Sequence, residues 1–352
     1  MIRVCALVLV GVLTAACGGG ESSDSTAAPD STNASASDAA SPVTTQPPET
    51  TPATTQATIV PSSTTRASGP SSTAELNDSD SAASRAPDCS REPSDARAGE
   101  GTVRDIDVQD VDRSYLLYVP TTYEPGVNPS PLVVNLHGAT GNANGHRQDS
   151  EFDEIAEAEG VVVAYGEAPG GYWNLEGDVE RNYVTAVIDD VEATLCIDPD
   201  RIYLMGASQG GDLSTLLSCT MADRIAAFAT VAVLNHHAIA CPDLSPVRVV
   251  AIVGATDPIT IGGFPGAPGP DPPKPLSDEI ASWIDTNGCD PAPAESMPFP
   301  EVSRREFECA EGGTLVVYVH PGGHIWPRSP SDAIDASTVA WEFLSGDPTP
   351  TD

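Results

Sequence analysis

The feature that most constrains the fold is an alternation of short apolar runs with helix-like stretches along residues 132–344. Apolar runs of the buried-strand type occupy Leu132–Leu136, Val161–Tyr165, Ile202–Met205, Ala227–Val233, Val247–Val253 and Thr314–Tyr318. Helix-like stretches occupy Asp149–Ala158, Tyr183–Leu195, Gly210–Thr220, Ser277–Asn287 and Ser331–Leu344. Such an alternation predicts an α/β fold, in which a mostly parallel sheet carries helices on both faces.

The folded region is expected to span residues 89–346, with residues 347–352 as a disordered tail. Two further strand-like runs, Thr102–Asp107 and Ser114–Val119, predict an antiparallel pair at its beginning. A region of roughly 260 residues has the size of a single α/β domain. We therefore expect one catalytic-size domain.

Residues 17–88 have a different composition. From Gly18 to Asp88 the chain is mostly Ser, Thr, Ala, Pro and Asp, with hardly any large apolar side chain. Such a segment cannot bury enough surface to offset its ordering entropy, so disorder is predicted. We interpret it as a tether, although low-complexity filler without a role predicts the same structure.

The N-terminus has the pattern of an export signal over residues 1–16. Arg3 gives a positive start, an apolar stretch runs from Val4 to Leu13, and small residues follow. This stretch is too short for a permanent transmembrane helix. The segment up to Cys17 resembles a bacterial lipobox, with Thr14 where an aliphatic residue is usual, and this implies lipid attachment to the Cys17 thiol. The alternative is an ordinary secretory signal. We expect an exported protein, either a cell-surface lipoprotein or secreted.

The charge of the chain narrows its partners. Its 51 acidic and 16 basic side chains give a formal net charge of −35. Such a surface repels nucleic acid and anionic lipid head groups, so neither is expected as a partner. Contact with a membrane is expected only through the lipid anchor. We expect a monomer.

The cysteines indicate disulfides. Cys5 lies in the signal and Cys17 is the lipidation candidate; the six others are Cys89, Cys196, Cys219, Cys241, Cys289 and Cys309. An even number in an exported domain predicts three disulfides, with fifteen possible connectivities. No pair has the Cys-x-x-Cys spacing of a structural zinc site, and we expect neither a metal nor a cofactor.

The segment Arg201–Gly211 contains Gly206-Ala207-Ser208-Gln209-Gly210, a Gly-x-Ser-x-Gly element. In a hydrolase this element places the serine on a strained turn between a strand and a helix, and its glycines let the backbone segments approach closely. The apolar run before it and the helix-like stretch after it supply that context. Ser208 is therefore the candidate nucleophile, whereas a passive serine in a glycine-rich loop is the alternative.

A nucleophilic serine needs a base, and six histidines are available: His137, His146, His236, His237, His320 and His324. In hydrolases with this Gly-x-Ser-x-Gly turn, the serine comes first in the chain, then the acid, then the histidine. His137 and His146 precede Ser208 and are therefore excluded as the base. The adjacent pair at 236–237 leaves too little chain for the acid, and His320 is expected to lie in or just after the last strand. His324, in the loop Pro321–Pro327, is the predicted base; a surface-loop histidine is the alternative.

The acid should follow a strand between Ser208 and His324. Asp257 lies in a turn just after the run that ends at Val253, and it is the predicted acid, with a simple turn-forming role as the alternative. Asp243 is the competitor. Asp285 and Asp290, near the end of a helix, are interpreted as structural.

An acyl-transfer site also needs backbone donors for the developing oxyanion. The amide of Gln209 is one candidate. The loop that follows the Leu132–Leu136 run supplies the other, for which we choose Ala139, with Thr140 as the second choice. His137 is interpreted as a brace for that loop and not as a base.

These segments together resemble the esterase family that groups polyhydroxybutyrate-depolymerase-like, feruloyl and acetylxylan esterases. The resemblance covers the whole folded region and rests on Leu136–Gly138, Gly170–Asn174, Ile188–Asp190, Cys196–Arg201, Gly206–Gly211, Gly254–Pro258 and Gly322–Pro327. It implies the α/β-hydrolase fold in a single catalytic domain, and the triad Ser208, Asp257 and His324.

The resemblance also implies finer features. Trp173 would lie near the substrate cleft, with His137 as a further candidate substrate contact; a core tryptophan is the alternative. The family's disulfide pattern implies Cys219–Cys241 and Cys289–Cys309, which leaves Cys89–Cys196. The chain departs from the family at Val253, where histidine is frequent, and at Pro321, where a third glycine is frequent. Both departures are expected to reshape the acyl pocket.

The resulting hypothesis is an exported serine esterase that cleaves carboxylic esters through an acyl-enzyme. Feruloyl or acetyl esters, or other small soluble esters, are the expected substrates, because no polymer-binding module is apparent in the sequence. The nearest alternative is a polyhydroxyalkanoate depolymerase. A serine peptidase and an inactive glycan-binding surface lipoprotein are the remaining ones, and the latter predicts a broken triad, whereas all three positions are filled.

Overall fold

Ten strands form one sheet in the computed structural model, which describes residues 89, 97–126, 128–234, 247–259, 276–310 and 313–346. The strands are β1 Gly101–Asp107, β2 Asp112–Tyr118, β3 Ser130–Leu136, β4 Val162–Gly166, β5 Ile197–Ala207, β6 Ala227–Val231, β7 Arg248–Gly254, β8 Ala294–Phe299, β9 Val302–Glu308 and β10 Thr314–His320. Their order is β1-β2-β4-β3-β5-β6-β7-β10-β9-β8. The six strands from β4 to β10 in this order pair in parallel, and antiparallel pairs extend the sheet at both edges.

Helices cover both faces of the sheet. They are α1 Ala143–Ser150, α2 Phe152–Glu159, α3 Val179–Thr194, α4 Gln209–Met221, α5 Leu276–Asn287 and α6 Ala336–Leu344. Side chains alternate across β3: Leu132 and Val134 pack in the core that includes residues of α3, α4 and α5, whereas Val133 packs in the core with residues of α1, α2 and α6. This two-residue period in a strand buried on both sides explains its continuous apolar sequence.

All the predicted strands are present, but two details of the prediction are wrong. The stretch Asp149–Ala158 is not one helix, because Glu151 adopts a left-handed conformation (φ 49°) that ends α1 and precedes α2. The last helix begins at Ala336 and not at Ser331, because the Asp335 carboxylate accepts a hydrogen bond from the Thr338 amide (2.8 Å) and caps it there.

The hairpin of β8 and β9 was not predicted from the sequence. It lies at the edge of the sheet, and β8 is largely exposed, with Met297 64% accessible. An edge strand of this kind carries neither a continuous apolar run nor strict alternation. Its pairing with β9, which in turn pairs with β10, therefore decides its conformation.

Two of the three implied cysteine pairs are disulfides in the structure, Cys89–Cys196 and Cys289–Cys309. The pair Cys219–Cys241 is not tested, because Cys241 and the side chain of Cys219 lie outside the described part of the chain, as do the signal (1–16), the tether (17–88) and the tail (347–352). Within the described ranges, no helix is long and apolar enough to cross a membrane.

Candidate active site

Ser208 lies on a sharp turn between β5 and α4. Its backbone has φ 49° and ψ −118°, a conformation that a residue with a side chain rarely adopts. The turn is held by two main-chain hydrogen bonds, from the Ser208 amide to the Val231 carbonyl (2.9 Å) and from the Asp212 amide to the Ser208 carbonyl (2.9 Å). The strain presents the hydroxyl at the end of the strand, as the Gly-x-Ser-x-Gly element predicts.

The flanking glycines permit this turn. A Cβ atom on Gly206 would overlap the backbone of Gly210, and one on Gly210 would overlap the carbonyl groups of Leu136 and His137. The start of α4 thus lies directly against both its own strand and the neighbouring β3 loop. A side chain at either glycine would push the nucleophile away from that loop.

Ser208, His324 and Asp257 come together in space. His324 Nε2 lies 2.9 Å from Ser208 Oγ, and His324 Nδ1 lies 2.7 Å from Asp257 Oδ2. Asp257 is completely buried, whereas the His324 side chain is 27% exposed. Because a carboxylate only accepts hydrogen bonds, Nδ1 carries the proton and Nε2 presents its lone pair to the serine hydroxyl.

The Asp257 carboxylate is fixed in a tight turn after β7. Its Oδ1 accepts the Ile259 amide (2.9 Å), and its own amide donates to the Gly254 carbonyl (3.2 Å). The turn-forming role and the contact with His324 therefore coexist, through different carboxylate oxygens. The competitor Asp243 lies outside the described residues, and Asp290 accepts the Ala292 amide (2.9 Å) in a turn of its own.

The loop that carries His324 is held against the Asp257 turn. The Ala255 amide donates to the His320 carbonyl (2.7 Å), and the Thr256 amide donates to the Gly322 carbonyl (3.0 Å). Gly254 touches this loop so closely that a Cβ atom would overlap the carbonyl oxygens of Gly322 and Gly323. The glycine retained beside the departure at Val253 thus sets the distance between the acid and the base.

The other described histidines are not placed to serve as the base. His320 is the last residue of β10, and its Nδ1 accepts the Gly322 amide (3.2 Å). His146, on α1, contacts Asn135 Oδ1 through Nε2 (2.7 Å). Burial lowers the pKa of both imidazoles. His236 and His237 lie outside the described residues.

The loop after β3 lies beside the nucleophile, since a Cβ atom on Gly138 would lie 3.4 Å from Ser208 Cβ. The Thr140 amide donates to the Gly171 carbonyl (2.7 Å), so the second-choice oxyanion donor is already occupied. Within the described part of the chain, the amides of Ala139 and Gln209 donate no hydrogen bond. Gln209 is the first residue of α4, where an amide has no partner within the helix and the helix dipole favours negative charge.

The placement of His137 does not fit a substrate contact. Its ring is buried, Nδ1 donates to the Gly138 carbonyl (2.7 Å), and Nε2 accepts the Ala168 amide (3.1 Å). Both nitrogens are therefore used within the protein, as a brace requires. Burial lowers the pKa of this imidazole, which keeps it neutral.

Trp173 is likewise placed as a core residue. It is 3% exposed, and its Nε1 donates to the His137 carbonyl (2.7 Å). Its predicted place beside a cleft is replaced by a place beneath the β3 loop. Two exposed apolar side chains that sequence reasoning missed lie next to site residues: Tyr172 is 54% exposed and precedes Trp173, and Ile325 is 41% exposed and follows His324. For Tyr172, whose backbone is extended (φ −131°, ψ 129°), the signal was its position next to Trp173, since side chains alternate in direction along such backbone.

Within the described residues, no cluster of three or more His, Cys, Asp or Glu side chains is arranged to hold a metal ion. Among the described residues, the functional groups of the site are thus a serine hydroxyl, an imidazole, a buried carboxylate and two main-chain amides that donate no hydrogen bond. Such a set can transfer a proton and stabilise an oxyanion.

Comparisons with known proteins agree on one class. Residues 113–263 match the model of the family described as esterase PHB depolymerase, a span that includes Ser208 and Asp257 and ends before His324. The putative esterase NocK of Nocardia uniformis subsp. tsuyamanensis is 28% identical over 254 residues, 64% of this chain and 74% of the relative. Feruloyl esterase C of Emericella nidulans is 29% identical over 246 residues, 66% of this chain and 83% of the relative.

A solved structure, the acetyl xylan esterase from Aspergillus awamori, superposes with a TM-score of 0.54 at 15% identity, over 70% of this chain and 99% of that one. At this identity the likeness concerns the fold. The predicted fold, a mostly parallel sheet with helices on both faces, is confirmed by this superposition and by the strand order.

Proposed function

We propose that this chain, of which residues 113–263 match the esterase PHB depolymerase family, is an exported serine esterase that uses Ser208, His324 and Asp257. The observation that carries the proposal is the continuous hydrogen-bond path from Ser208 Oγ through the His324 ring to the buried Asp257 carboxylate, at 2.9 and 2.7 Å. The reaction is the hydrolysis of a carboxylic ester, an activity consistent with relatives named as feruloyl and acetylxylan esterases.

In the acylation step, Ser208 Oγ attacks the ester carbonyl carbon while His324 Nε2 takes the hydroxyl proton. The former carbonyl oxygen then bears a negative charge, which the amides of Ala139 and Gln209 stabilise. Collapse of this tetrahedral intermediate breaks the bond between the carbonyl carbon and the alcohol oxygen, and His324 gives its proton to the departing alcohol. Asp257 holds the imidazole with its proton on Nδ1 and stabilises the imidazolium that forms.

In the deacylation step, a water molecule replaces the alcohol. His324 Nε2 takes a proton from this water as its oxygen attacks the acyl-serine carbonyl, and the same two amides stabilise the second oxyanion. Collapse of the intermediate breaks the bond to Ser208 Oγ, which recovers its proton from His324. The products are a carboxylic acid and the free enzyme.

For the substrate, we propose feruloyl or acetyl esters, or other small soluble esters. The support is that sequence relatives are named feruloyl esterase C and bifunctional acetylxylan esterase/xylanase, the latter 31% identical over 137 residues. The family's description favours a second candidate, a polyhydroxyalkanoate depolymerase. Rates on methyl ferulate, acetylated xylan and soluble hydroxybutyrate oligomers, with clearing of a polyhydroxybutyrate film, discriminate between the two.

For the location, we propose export directed by residues 1–16, lipid attachment at Cys17 and a tether formed by residues 17–88. The two disulfides of the folded domain support export, because such bonds persist in oxidising compartments. Replacement of Cys17 by Ala should move the protein from the membrane fraction to the medium. An unchanged distribution would refute lipidation.

The decisive experiment on the chemistry is Ser208→Ala. We expect turnover of p-nitrophenyl acetate to fall by at least about 10⁴-fold and labelling by a fluorophosphonate to disappear, because the nucleophile is gone. Ser277→Ala, at an exposed serine on α5, is the matched control and should keep both signals. Full turnover by the Ser208 variant would overturn the assignment. A peptidase would instead prefer peptides in a parallel panel, and an inactive binding protein would show neither turnover nor labelling in the wild type.

A further inference from the structure

We infer that the side chain of Gln209, as distinct from its amide, is a positioning residue that sets the distance between the two oxyanion donors. The inference rests on the proposed function, because it concerns the proposed donors Ala139 and Gln209. It assigns a role to a half-buried side chain that the proposed proton transfers do not use.

The Gln209 carboxamide forms hydrogen bonds with both main-chain groups of Trp173. The Trp173 amide donates to Gln209 Oε1 (3.0 Å), and Gln209 Nε2 donates to the Trp173 carbonyl (3.4 Å). This pair of bonds resembles the pairing of one strand residue with another. It joins the nucleophile turn to the segment that follows β4, across 36 positions of sequence.

The same segment, residues 168–173, also forms hydrogen bonds with both ends of the loop after β3, which contains Ala139. Trp173 Nε1 donates to the His137 carbonyl (2.7 Å), and the two rings lie 4.9 Å apart. The Ala168 amide donates to His137 Nε2 (3.1 Å), and the Thr140 amide donates to the Gly171 carbonyl (2.7 Å). Ala139 therefore lies between two residues that are both bonded to residues 168–173.

A continuous path from the nucleophile turn to the loop after β3 results. It runs from the Gln209 side chain to Trp173, from Trp173 to His137, and along the loop to Ala139, whose amide is opposite the Gln209 amide in the proposed site. Ala139 is in neither a helix nor a strand and is exposed, so no element of its own fixes it. The Gln209 carboxamide is the link in this path that belongs to the nucleophile turn.

Loss of the Gln209 side chain should raise the energy of the transition state without weakening the binding of the substrate. Oxyanion donors act at about 2.7–3.1 Å from the charged oxygen, and a displacement of about 1 Å costs on the order of 10²-fold in rate. Loss of the hydrogen bonds between the Gln209 carboxamide and Trp173 should allow the distance between the Ala139 amide and the Gln209 amide to change. Ground-state binding of an ester does not depend on this distance, so KM should change little.

The test is Gln209→Leu. This change keeps the main-chain amide and the approximate size of the side chain but removes both side-chain hydrogen bonds with Trp173. We expect kcat for p-nitrophenyl acetate to fall by about 10- to 100-fold with KM within about twofold. The affinity for a trifluoromethyl ketone, whose adduct with Ser208 carries an oxyanion, should fall by the same factor as kcat/KM. Gln148→Leu, the same change at an exposed position on α1, is the matched control and should leave all three quantities unchanged.

A second variant covers the case in which Gln209→Leu does not fold. Trp173→Phe keeps the main-chain bonds to Gln209 and removes the Nε1 bond to the His137 carbonyl, the next link in the path, while a smaller ring stays packed between His137 and Tyr183. It should lower kcat and ketone affinity together, and the double variant should lose less than the sum of the two single losses in log kcat.

The outcomes separate this inference from the proposed function. If wild-type turnover is absent, or survives Ser208→Ala, the proposed function fails. If Ser208→Ala abolishes turnover while a folded Gln209→Leu keeps wild-type kcat and ketone affinity, the inference alone is overturned. Should Gln209→Leu not fold, wild-type values in Trp173→Phe overturn it equally.

Discussion

The stability of the domain toward acid should depend on one buried histidine, His146. Its Nε2 contacts Asn135 Oδ1 (2.7 Å), and its ring meets the edge of Trp326 with centroids 5.1 Å apart. Burial, with a smaller contribution from His137, lowers the pKa of His146 from 6.5 to about 3. Below about pH 6.5 the unfolded chain therefore binds a proton that the folded chain excludes, so the free energy of unfolding falls as the pH falls.

The loss in the free energy of unfolding follows from the pH interval between the pKa values of His146 in the unfolded and folded chains. Each pH unit between the two pKa values removes about 1.4 kcal/mol, so acidification from about pH 7 to about pH 4.5 should remove about 2–3 kcal/mol through His146 alone. Below about pH 3, where the folded form also binds the proton, the loss should level off. The figure at about pH 4.5 is insensitive to the folded-state pKa as long as that pKa lies below about 4.

The perturbation is His146→Gln, which keeps an N–H donor for Asn135 and cannot take up the proton. Urea unfolding, followed by tryptophan fluorescence at about pH 7 and about pH 4.5, should show a loss in the wild type about 2–3 kcal/mol larger than in the variant. His137 and His320, whose pKa values burial also lowers, remain in both proteins, and their contributions cancel in the difference. Equal losses in the two proteins, or a His146 resonance that titrates near pH 6.5, would refute the reasoning.

Two further changes test other parts of the structure. Gly254→Ala should displace the loop of His324 and lower kcat by about 10²-fold with the fold retained, whereas Gly323→Ala, whose Cβ would lie 3.9 Å from Thr256 Oγ1, should keep wild-type kinetics. Glu180→Gln should lower the free energy of unfolding by about 3–5 kcal/mol in urea, because it leaves the buried Arg113 guanidinium, 3.0 Å away, without a charged partner; a loss below about 1 kcal/mol would contradict this.

The central sheet and the nucleophile turn were readable from the sequence because both depend on local patterns. Strands buried on both sides have continuous apolar runs, as β3 and β4 do. The Gly-x-Ser-x-Gly turn is encoded by residues adjacent in the chain, and chain order narrowed the choice of base and acid to His324 and Asp257.

Other features depend on contacts that no local pattern encodes. The break between α1 and α2 rests on the left-handed conformation of Glu151, a residue type that rarely adopts it. The edge strand β8 has little buried apolar surface, so its conformation comes from pairing with β9, which in turn pairs with β10.

The sequence by itself determined the fold class and the order of the candidate catalytic residues along the chain, because periodicity and turn chemistry act between near neighbours. Only the tertiary structure decided that Trp173 is buried, that both ring nitrogens of His137 are used within the protein, that the Thr140 amide is already occupied, and that the Gln209 side chain forms hydrogen bonds with Trp173. The physical reason is that burial and hydrogen-bond partnership are properties of pairs of groups. These pairs are separated by tens of residues in the chain and meet only at the carboxyl edge of the sheet.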